Sequence, residues 1–144
     1  MCQRHLAQLR RNYHEFEQKG ADLKIIVPSS GRLIKRFLNE FGPYPFPFYG
    51  DRDRSLYKAM GHITMNKPKL LLMAALGTAA GKIDSFLPSD KAQRAVALHS
   101  MKTQDVYIQG GTWIYSESGA LEWYHLDKSP DNHASVERIL DQLA

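Results

Sequence analysis

Cysteine is the residue type that this sequence has least of, because Cys2 is the only one in 144 residues. One cysteine cannot form a disulfide within the chain, so the sequence is not that of a small secreted protein held together by disulfides. The chain also lacks a charged start followed by an apolar run, which is the pattern of a secretory signal peptide. These features predict a protein of a reducing compartment, and we expect a cytoplasmic location.

Long hydrophobic runs and a one-sided charge are missing as well. The longest apolar stretch, residues 70–76, is followed by Gly77 and Gly81 and falls well short of the roughly 20 residues that span a bilayer. Lysine and arginine exceed aspartate and glutamate by 19 to 15, but these charges are spread along the chain. That distribution favours solubility over nucleic-acid binding, which would weaken steeply with salt. The length fits one globular domain over residues 1–144.

The first part of the chain alternates helical and extended patterns. Apolar residues at spacings of three and four predict an amphipathic helix that ends at Gly20. Residues 23–27 are apolar and rich in β-branched side chains, which is typical of a strand covered on both faces of a sheet. The apolar stripe over residues 33–41 predicts a second helix that ends at Gly42.

Prolines and capping residues organise the middle of the chain. Three prolines within residues 43–50 remove backbone donors, so this stretch is predicted to be a loop that leads into a short edge strand. Asp51 or Asp53 is expected to cap a short helix over residues 55–60. Two further helices are predicted, near residues 68–80 and 88–99.

The last third of the chain predicts a β-hairpin and a helix. Residues 112–116 and 121–126 are aromatic and β-branched runs on either side of a turn at residues 118–119. Apolar residues at helical spacing then predict a terminal helix, which Asp131 or Ser135 can cap. The order helix, strand, helix, strand, helix, hairpin, helix is typical of an α/β fold.

Cys2 is the candidate reactive residue. It lies at the predicted start of the first helix, where unpaired N–H groups and the positive end of the helix dipole stabilise a thiolate. Arg4 and His5 follow it and add a permanent cation and a titratable imidazole, both of which favour the thiolate. Two plainer interpretations stay open: Cys2 as a small apolar residue near a frayed terminus, and Arg4 as a solvated surface charge.

Several segments, in order along the chain, carry a resemblance to a known family. They are the helix start at residues 2–10, residues 16–23 and 27–29, the proline-then-aspartate block at residues 46–61, and the hairpin region at residues 109–119. Together they resemble the peroxiredoxin-like branch of the alkyl hydroperoxide reductase and thiol-specific antioxidant (AhpC/TSA) family. The resemblance covers nearly the whole chain.

The resemblance implies an α/β, thioredoxin-like three-layer sandwich with a mixed sheet and a C-terminal β-hairpin plus helix. It also implies a thiol-dependent antioxidant oxidoreductase, in which a thiolate attacks a peroxide, becomes sulfenic acid and is returned to the thiol by a reductant. Cys2 and Arg4 are then the candidate catalytic residues, with Cys2 as either the attacking or the resolving sulfur. The implied partners are a peroxide, a thiol reductant of the thioredoxin or glutathione type and, as one assembly, a second copy in a homodimer. No cofactor, nucleic acid or membrane partner is expected.

The chain departs from the family pattern in several places. Members often carry Cys-x-x-Cys at the strand-to-helix turn. When His5 and Leu6 are matched to the family pattern, Cys2 takes the place of the second cysteine, so that the first would precede Met1. The family's upstream strand, which is central in thioredoxin sheets, is missing, and so is the position of the threonine that precedes the attacking cysteine. We expect a truncated chain, since a sheet without its middle strand leaves two rows of unpaired backbone groups. Gly110 and Gly111 stand where thioredoxins usually have a cis-proline.

Other candidate sites have weaker patterns. Six histidines are scattered along the chain without i, i+4 pairing, so no metal site is predicted. The aromatic residues of the hairpin could stack on bases, but alternation along a hairpin more often places one face in the core. The main alternative function is a redox-inactive thioredoxin-fold protein, or a truncated non-catalytic family member. Such a protein would bind a partner through an exposed aromatic loop at residues 43–49.

Overall fold

Helices and short strands alternate along the chain in the order that the hydrophobic pattern predicts. The computed structural model describes residues 2–66, 68, 72, 75–76, 90–103 and 108–143. The named elements are α1 (Cys2–Arg11), α2 (Tyr13–Gln18), β1 (Ile25–Val27), α3 (Gly31–Phe41), β2 (Phe48–Gly50), α4 (Ser55–Ala59), α5 (Lys91–Thr103), β3 (Gly111–Tyr115), β4 (Leu121–Leu126) and α6 (Val136–Leu140).

The first predicted helix consists of two consecutive helices, α1 and α2, with a break at Asn12. The Asn12 side-chain amide donates to the carbonyl oxygen of Gln8 at 2.8 Å, a local hydrogen bond that competes with the regular helical pattern. The apolar stripe nevertheless continues through the break, since Leu9 and Phe16 are both buried. Gly20 follows α2 with a φ of +70°, which confirms the predicted left-handed stop.

β1 and β2 form a two-stranded parallel sheet in which Ile25 is paired with Phe48. The strand predicted over residues 23–27 is confirmed at Ile25–Val27. The prediction that both of its faces are covered is wrong, because Ile26 is 38% exposed. Successive side chains of a strand point to opposite faces. Only the face that carries Ile25 packs against the core.

The four named strands make two pairings, one parallel between β1 and β2 and one antiparallel between β3 and β4. Strand directions are therefore mixed, as expected. No backbone pairing joins β1 to β3 in the described part of the chain. The middle strand that the family resemblance places between them is not among the described elements.

Three of the four aromatic rings in the proline-rich loop at residues 43–49 pack inward, and the fourth, Tyr49, is 49% exposed. Phe46 is 4% exposed, and its ring centroid lies 5.6 Å from that of Tyr44 and 5.9 Å from that of Phe48. Arg10 holds the loop from α1, because its guanidinium donates to a carbonyl oxygen in the loop at 3.1 Å. The hypothesis of an exposed aromatic contact surface on this loop is therefore wrong for these three rings.

Of the two residues predicted to cap α4, Asp51 and Asp53, it is Asp51 that does so. Its Oδ2 accepts from the N–H of Tyr57 at 2.9 Å and its Oδ1 from the hydroxyl of Ser55 at 3.2 Å. Burial raises the pKa of the Asp51 carboxyl, but these hydrogen bonds, with one from the N–H of Leu56, lower it by more. Gly61 follows the helix with a φ of +75°.

Asp51→Ala is expected to lower the free energy of unfolding by about 1 kcal/mol, because α4 loses the acceptor of its first N–H groups. Urea denaturation at pH 7 measures this, with Asp53→Ala as the control, since Asp53 is exposed. The pKa of Asp51 is lowered in the folded state, so its contribution is present above about pH 3.9, the usual carboxyl pKa. It is lost as the pH falls through the lower folded pKa. Equal stability of the two variants would contradict the cap.

Asp90 caps α5, because its Oδ1 accepts from the N–H of Gln93 at 2.9 Å. The helix predicted near residues 88–99 is confirmed, with its start at Lys91. Within the helix predicted near residues 68–80, the described residues 68, 72, 75 and 76 are helical, and the rest lies outside the described residues. No helix in the described ranges is both long enough and apolar enough to cross a membrane.

β3 and β4 form the predicted antiparallel hairpin, with Gly119 at a φ of +83° in its turn. Ile114 is paired with Trp123, and both pack in the core. On the opposite face Tyr115 and Tyr124 are 52% and 56% exposed. The prediction that one face of the hairpin is buried and the other lies at the surface is confirmed.

Ser135 caps α6, since its side chain accepts from the N–H of Arg138 at 3.2 Å. The other candidate cap, Asp131, instead accepts from the hydroxyl of Ser129. α6 closes a core to which α1, α2, the proline-rich loop and β3 also contribute. Its buried members are Leu9, Phe16, Phe46, Ile114, Ala134, Val136, Ile139 and Leu140. This core holds α1 close to the segment that leads into α6.

Candidate functional site

A cleft of about 250 Å³ opens between α1 and the segment before α6. Its walls are Arg4, His5 and Gln8 from α1 together with Pro130, Asp131, His133, Ala134 and Ser135. Of the two predicted catalytic residues, Arg4 is exposed on this wall and Cys2 is the first residue of α1. The cleft therefore lies toward the N-terminal end of α1, where the helix dipole is positive.

A buried carboxylate holds one wall of this cleft. Asp127 is 2% exposed, and its Oδ2 accepts from His133 Nδ1 at 2.5 Å. Its Oδ1 makes no hydrogen bond and lies 3.6 Å from His125 Nε2, which donates to the carbonyl oxygen of Asn132 at 2.6 Å. Since Asp127 binds the Nδ1–H of His133, the neutral tautomer has Nε2 as its proton acceptor.

His5 lies against His133 on the same wall. The two rings are stacked, with centroids 4.8 Å apart and planes inclined by 20°. Burial and then the charge of His133 lower the pKa of His5, and the Asp127 carboxylate and the Gln8 side chain oppose this only in part. The lowered pKa favours a neutral His5 at pH 7, a form that can accept a proton.

Gly110 and Gly111 allow close approaches at the start of β3. A β-carbon on Gly110 would lie 2.9 Å from Asp127 Oδ2. A β-carbon on Gly111 would lie 2.6 Å from the Trp113 ring and 2.7 Å from the carbonyl oxygen of His125. Gly110 thus lets the backbone run beside the buried carboxylate, and Gly111 lets it run close to β4 and the Trp113 ring. This is a physical reason for glycines where thioredoxins usually have a cis-proline.

A fourth histidine, His62, joins the segment before β3 to α4. Its Nδ1 donates to the carbonyl oxygen of Gln109 at 2.7 Å, and its ring stacks on Tyr57 at 4.1 Å. Burial lowers the pKa of His62, against the opposing effect of its backbone hydrogen bonds. His62 is accounted for by packing next to the site.

One comparison with known proteins decides the family. The family model described as AhpC/TSA antioxidant enzyme matches residues 8–129, which is most of the chain. The chain belongs to the AhpC/TSA family. A search of curated proteins and a search of solved structures gave no significant match. AhpC/TSA membership gives an α/β thioredoxin-like fold and, in general terms, a thiol-based redox role.

The AhpC/TSA match covers only part of the site. It includes Asp127 and the two glycines at the start of β3, whereas Cys2, Arg4, His5 and His133 lie outside residues 8–129. The family therefore supports the fold and the general chemistry. The roles of the residues in the cleft are argued from their geometry.

The side chains of the cleft in this AhpC/TSA protein are suited to holding and moving protons. They place a carboxylate, two imidazoles and a guanidinium close together. In the part of the chain that the structure describes, no three His, Cys, Asp or Glu side chains are placed to hold a metal ion.

Sequence reasoning missed Asp127 and His133 as site residues. It treated the histidines as scattered, because His5 and His133 lie near opposite ends of the chain and only the fold brings their rings together. The one available signal was Asp127, a carboxylate directly after an apolar strand. Such a carboxylate needs a hydrogen-bond partner when it is buried.

Proposed function

We propose that this AhpC/TSA protein reduces peroxides through the Cys2 thiolate and takes its reducing equivalents from an external thiol. The observation that carries the proposal is the position of Cys2 as the first residue of α1, where N–H groups and the helix dipole favour a thiolate. The neighbouring cleft, with Arg4 on its wall, is large enough for a small peroxide. The general thiol chemistry of the family supports the same conclusion.

The reaction is a two-electron oxidation of sulfur. The thiolate attacks one peroxide oxygen, so that an S–O bond forms while the O–O bond breaks, and the sulfur becomes sulfenic acid. The other oxygen leaves with the bonding electron pair and takes up a proton to give water or an alcohol. In this proposal the Arg4 guanidinium stabilises both the thiolate and the negative charge on the departing oxygen.

The sulfenic acid then needs a thiol from outside the chain, because the sequence contains one cysteine. A first external thiol displaces water and forms a mixed disulfide with Cys2. A second thiol releases Cys2 as its thiol and leaves as a disulfide. A thioredoxin- or glutathione-like reductant in a reducing compartment such as the cytoplasm would supply both thiols. The homodimer that the resemblance allows stays a prediction.

A redox-inactive role in partner binding is the second candidate. Three rings of the proline-rich loop that suggested it are packed inward, but Tyr49 of that loop is 49% exposed. The outer face of the β3–β4 hairpin also exposes Tyr115, Leu121 and Tyr124 by about half. Apolar surface of this kind is typical of sites that bind other proteins. On this alternative, Cys2 would react with peroxide no faster than free cysteine does.

Trapping of the sulfenic acid separates the two candidates. The purified chain is mixed at pH 7 with a slight excess of hydrogen peroxide and a sulfenic-acid trap, and intact mass is followed over time. A thiol of ordinary pKa is only a few per cent thiolate at pH 7, so a helix-start thiolate is expected to react about 10- to 30-fold faster than free cysteine. The label should be absent from Cys2→Ser.

Matched arginine variants test the part assigned to Arg4. Arg4→Gln is expected to slow labelling several-fold, because the guanidinium on the cleft wall is lost. Arg11→Gln, at the other end of α1, is expected to leave the rate unchanged. Labelling of the unmodified chain at the rate of free cysteine would contradict the proposed function.

A further inference from the structure

The peroxide reaction needs a group that carries a proton. The steps proposed above give no role to the cluster of Asp127, His133 and His5. Asp127 is almost completely buried, although burial of a carboxylate is costly without strong partners. It holds the ring of His133 at 2.5 Å, and that ring stacks on His5. Two of the three side chains line the cleft. A purely structural contact would not require them to face an open cleft.

The position of His5 connects this cluster to the candidate reactive residue. Cys2 and His5 occupy positions i and i+3 of α1, and residues so spaced are neighbours on the surface of a helix. His5 also shares the cleft wall with Arg4. A proton on a ring nitrogen of His5 is therefore within one helical turn of the first residue of α1.

We propose that His5 is the proton shuttle of the peroxide reaction, and that His133 and Asp127 are positioning residues that hold its ring against the cleft. This inference rests on the peroxidase function proposed above. It adds a group that would exchange a proton with the reacting atoms and a pair of groups that act through it.

The shuttle leaves the reaction balanced. A ring nitrogen of His5 first accepts the proton of the Cys2 thiol, which gives the thiolate and an imidazolium. The thiolate attacks the peroxide, the O–O bond breaks, and the oxygen that leaves takes the proton back from His5. Sulfur is oxidised by two electrons, the peroxide is reduced by two electrons, and His5 ends neutral as it began.

The surroundings of His5 suit a group that must both accept and release a proton. Burial lowers its pKa, so the neutral form is favoured before the thiol arrives. Arg4 on its own helix and His133 beside it disfavour the imidazolium, whereas the carboxylates of Asp127 and Asp131 favour it. The net effect is a lowered pKa of His5, so an imidazolium formed there gives its proton back readily.

Asp127 acts through His133 by fixing its ring. The carboxylate binds Nδ1–H, and this sets both the tautomer and the ring plane that His5 stacks on. Gly110 leaves room for the carboxylate to take this position. Loss of Asp127 should therefore affect the reaction only through the placement of His5.

The test is the pH profile of Cys2 oxidation by hydrogen peroxide, measured by sulfenic-acid trapping for the full chain and four variants. In the unmodified chain the rate is expected to fall only at a pH below about 6.5, the ordinary imidazole pKa, because the pKa of His5 is lowered. For His5→Gln the rate at pH 7 should be about tenfold lower. It should rise with pH until the Cys2 thiol ionises unaided, at a pH below the roughly 8.5 of an ordinary thiol, because the helix start and Arg4 remain. His14→Gln is the control, because the side chain of His14 is 77% exposed on α2.

The positioning role is tested by combining variants. Asp127→Asn alone is expected to lower the rate at pH 7 about tenfold, in the lower part of the range for acid–base groups. In the His5→Gln chain the same change should cost nothing further, because the two residues act as a unit. A purely structural Asp127 would lower the rate by the same factor in both backgrounds, and that result would overturn its assignment.

Two further measurements keep the outcome decisive. The pKa of His5, followed by NMR of its ring in the unmodified chain, should coincide with the acid limb of the rate profile, and this needs no variant to fold. Imidazole added to His5→Ala should restore part of the lost rate. If the unmodified chain reacts rapidly and His5→Gln reacts equally fast with the same profile, the shuttle is overturned while the peroxidase function stands. If the unmodified chain reacts no faster than free cysteine, both are overturned.

Discussion

Phe16→Ala is expected to lower the free energy of unfolding by about 3–5 kcal/mol, as is usual when a buried aromatic ring is removed from a core. Phe16 is 2% exposed and lies in the cluster that joins α1 and α2 to Phe46, Ile114 and α6. The structure around the cavity can relax only in part, so contacts are lost as well as hydrophobic burial. For a chain of this size, the midpoint of thermal unfolding should fall by roughly 10 °C.

Urea denaturation and thermal scans measure this effect, with Tyr49→Ala as the control. Tyr49 is an aromatic residue of β2 with 49% of its surface exposed, so its loss should cost less than about 1 kcal/mol. Comparable losses for the two variants would contradict the placement of Phe16 in the core. That result would also weaken the argument that this core fixes α1 beside the segment before α6.

Gly111→Ala is expected to lower the free energy of unfolding by about 2–3 kcal/mol, the upper part of the range for overpacking. The new β-carbon would lie 2.6 Å from the Trp113 ring and 2.7 Å from the carbonyl oxygen of His125. The second contact is with backbone in a paired strand, because Gly111 is opposite Leu126 in the hairpin. Backbone in that position cannot move without disturbing the ladder.

Gly31→Ala is the matched control, because a β-carbon on Gly31 would meet nothing within 4 Å. Gly31 begins α3, and alanine there should leave stability unchanged or slightly raised. Tryptophan fluorescence should report a changed environment of Trp113 in the Gly111 variant alone. If Gly111→Ala were as stable as Gly31→Ala, the close approach at the start of β3 would be contradicted.

The spacing of the hydrophobic residues, together with the capping residues, was enough to predict most of the helices and strands. The stops at Gly20 and Gly61, the hairpin turn at Gly119 and the cap at Ser135 all follow from local chemistry that the sequence displays. α3 and the hairpin have strong patterns, because each buries one face, with Ile34 of α3 at 9% exposure and Ile114 of the hairpin at 8%. Local signals of this kind do not depend on which other segment is packed against them.

Tertiary contacts account for what the sequence did not predict. The exposure of Ile26 depends on which elements cover β1, and the inward packing of Phe46 depends on the rings that meet it. The break at Asn12 is a local exception, where the side-chain amide also donates to the carbonyl oxygen of Gln8 and the apolar stripe is not interrupted. None of these is encoded in a repeating pattern, so composition and spacing cannot supply them.

The candidate site likewise combines features that are local in the sequence with contacts that only the fold creates. Cys2 and Arg4 could be selected from the sequence, because a helix start next to a cation is a local feature. The stacking of His133, which Asp127 holds, on His5 joins two segments from opposite ends of the chain, α1 and the connection between β4 and α6. The reason for Gly110 is visible only once the carboxylate of Asp127 lies beside it. Proton-transfer geometry is a property of the fold, and the sequence alone does not reveal it.

Catalytic turnover of peroxide tests the central claim most directly. Hydrogen peroxide is followed over time with the purified chain and excess dithiothreitol as the external thiol, beside Cys2→Ser and a sample without protein. We expect many peroxide molecules to be consumed per chain, at a rate proportional to the chain concentration. Cys2→Ser should consume peroxide no faster than dithiothreitol alone. An unmodified chain that adds nothing to the rate of dithiothreitol would contradict the peroxidase function and favour the partner-binding role.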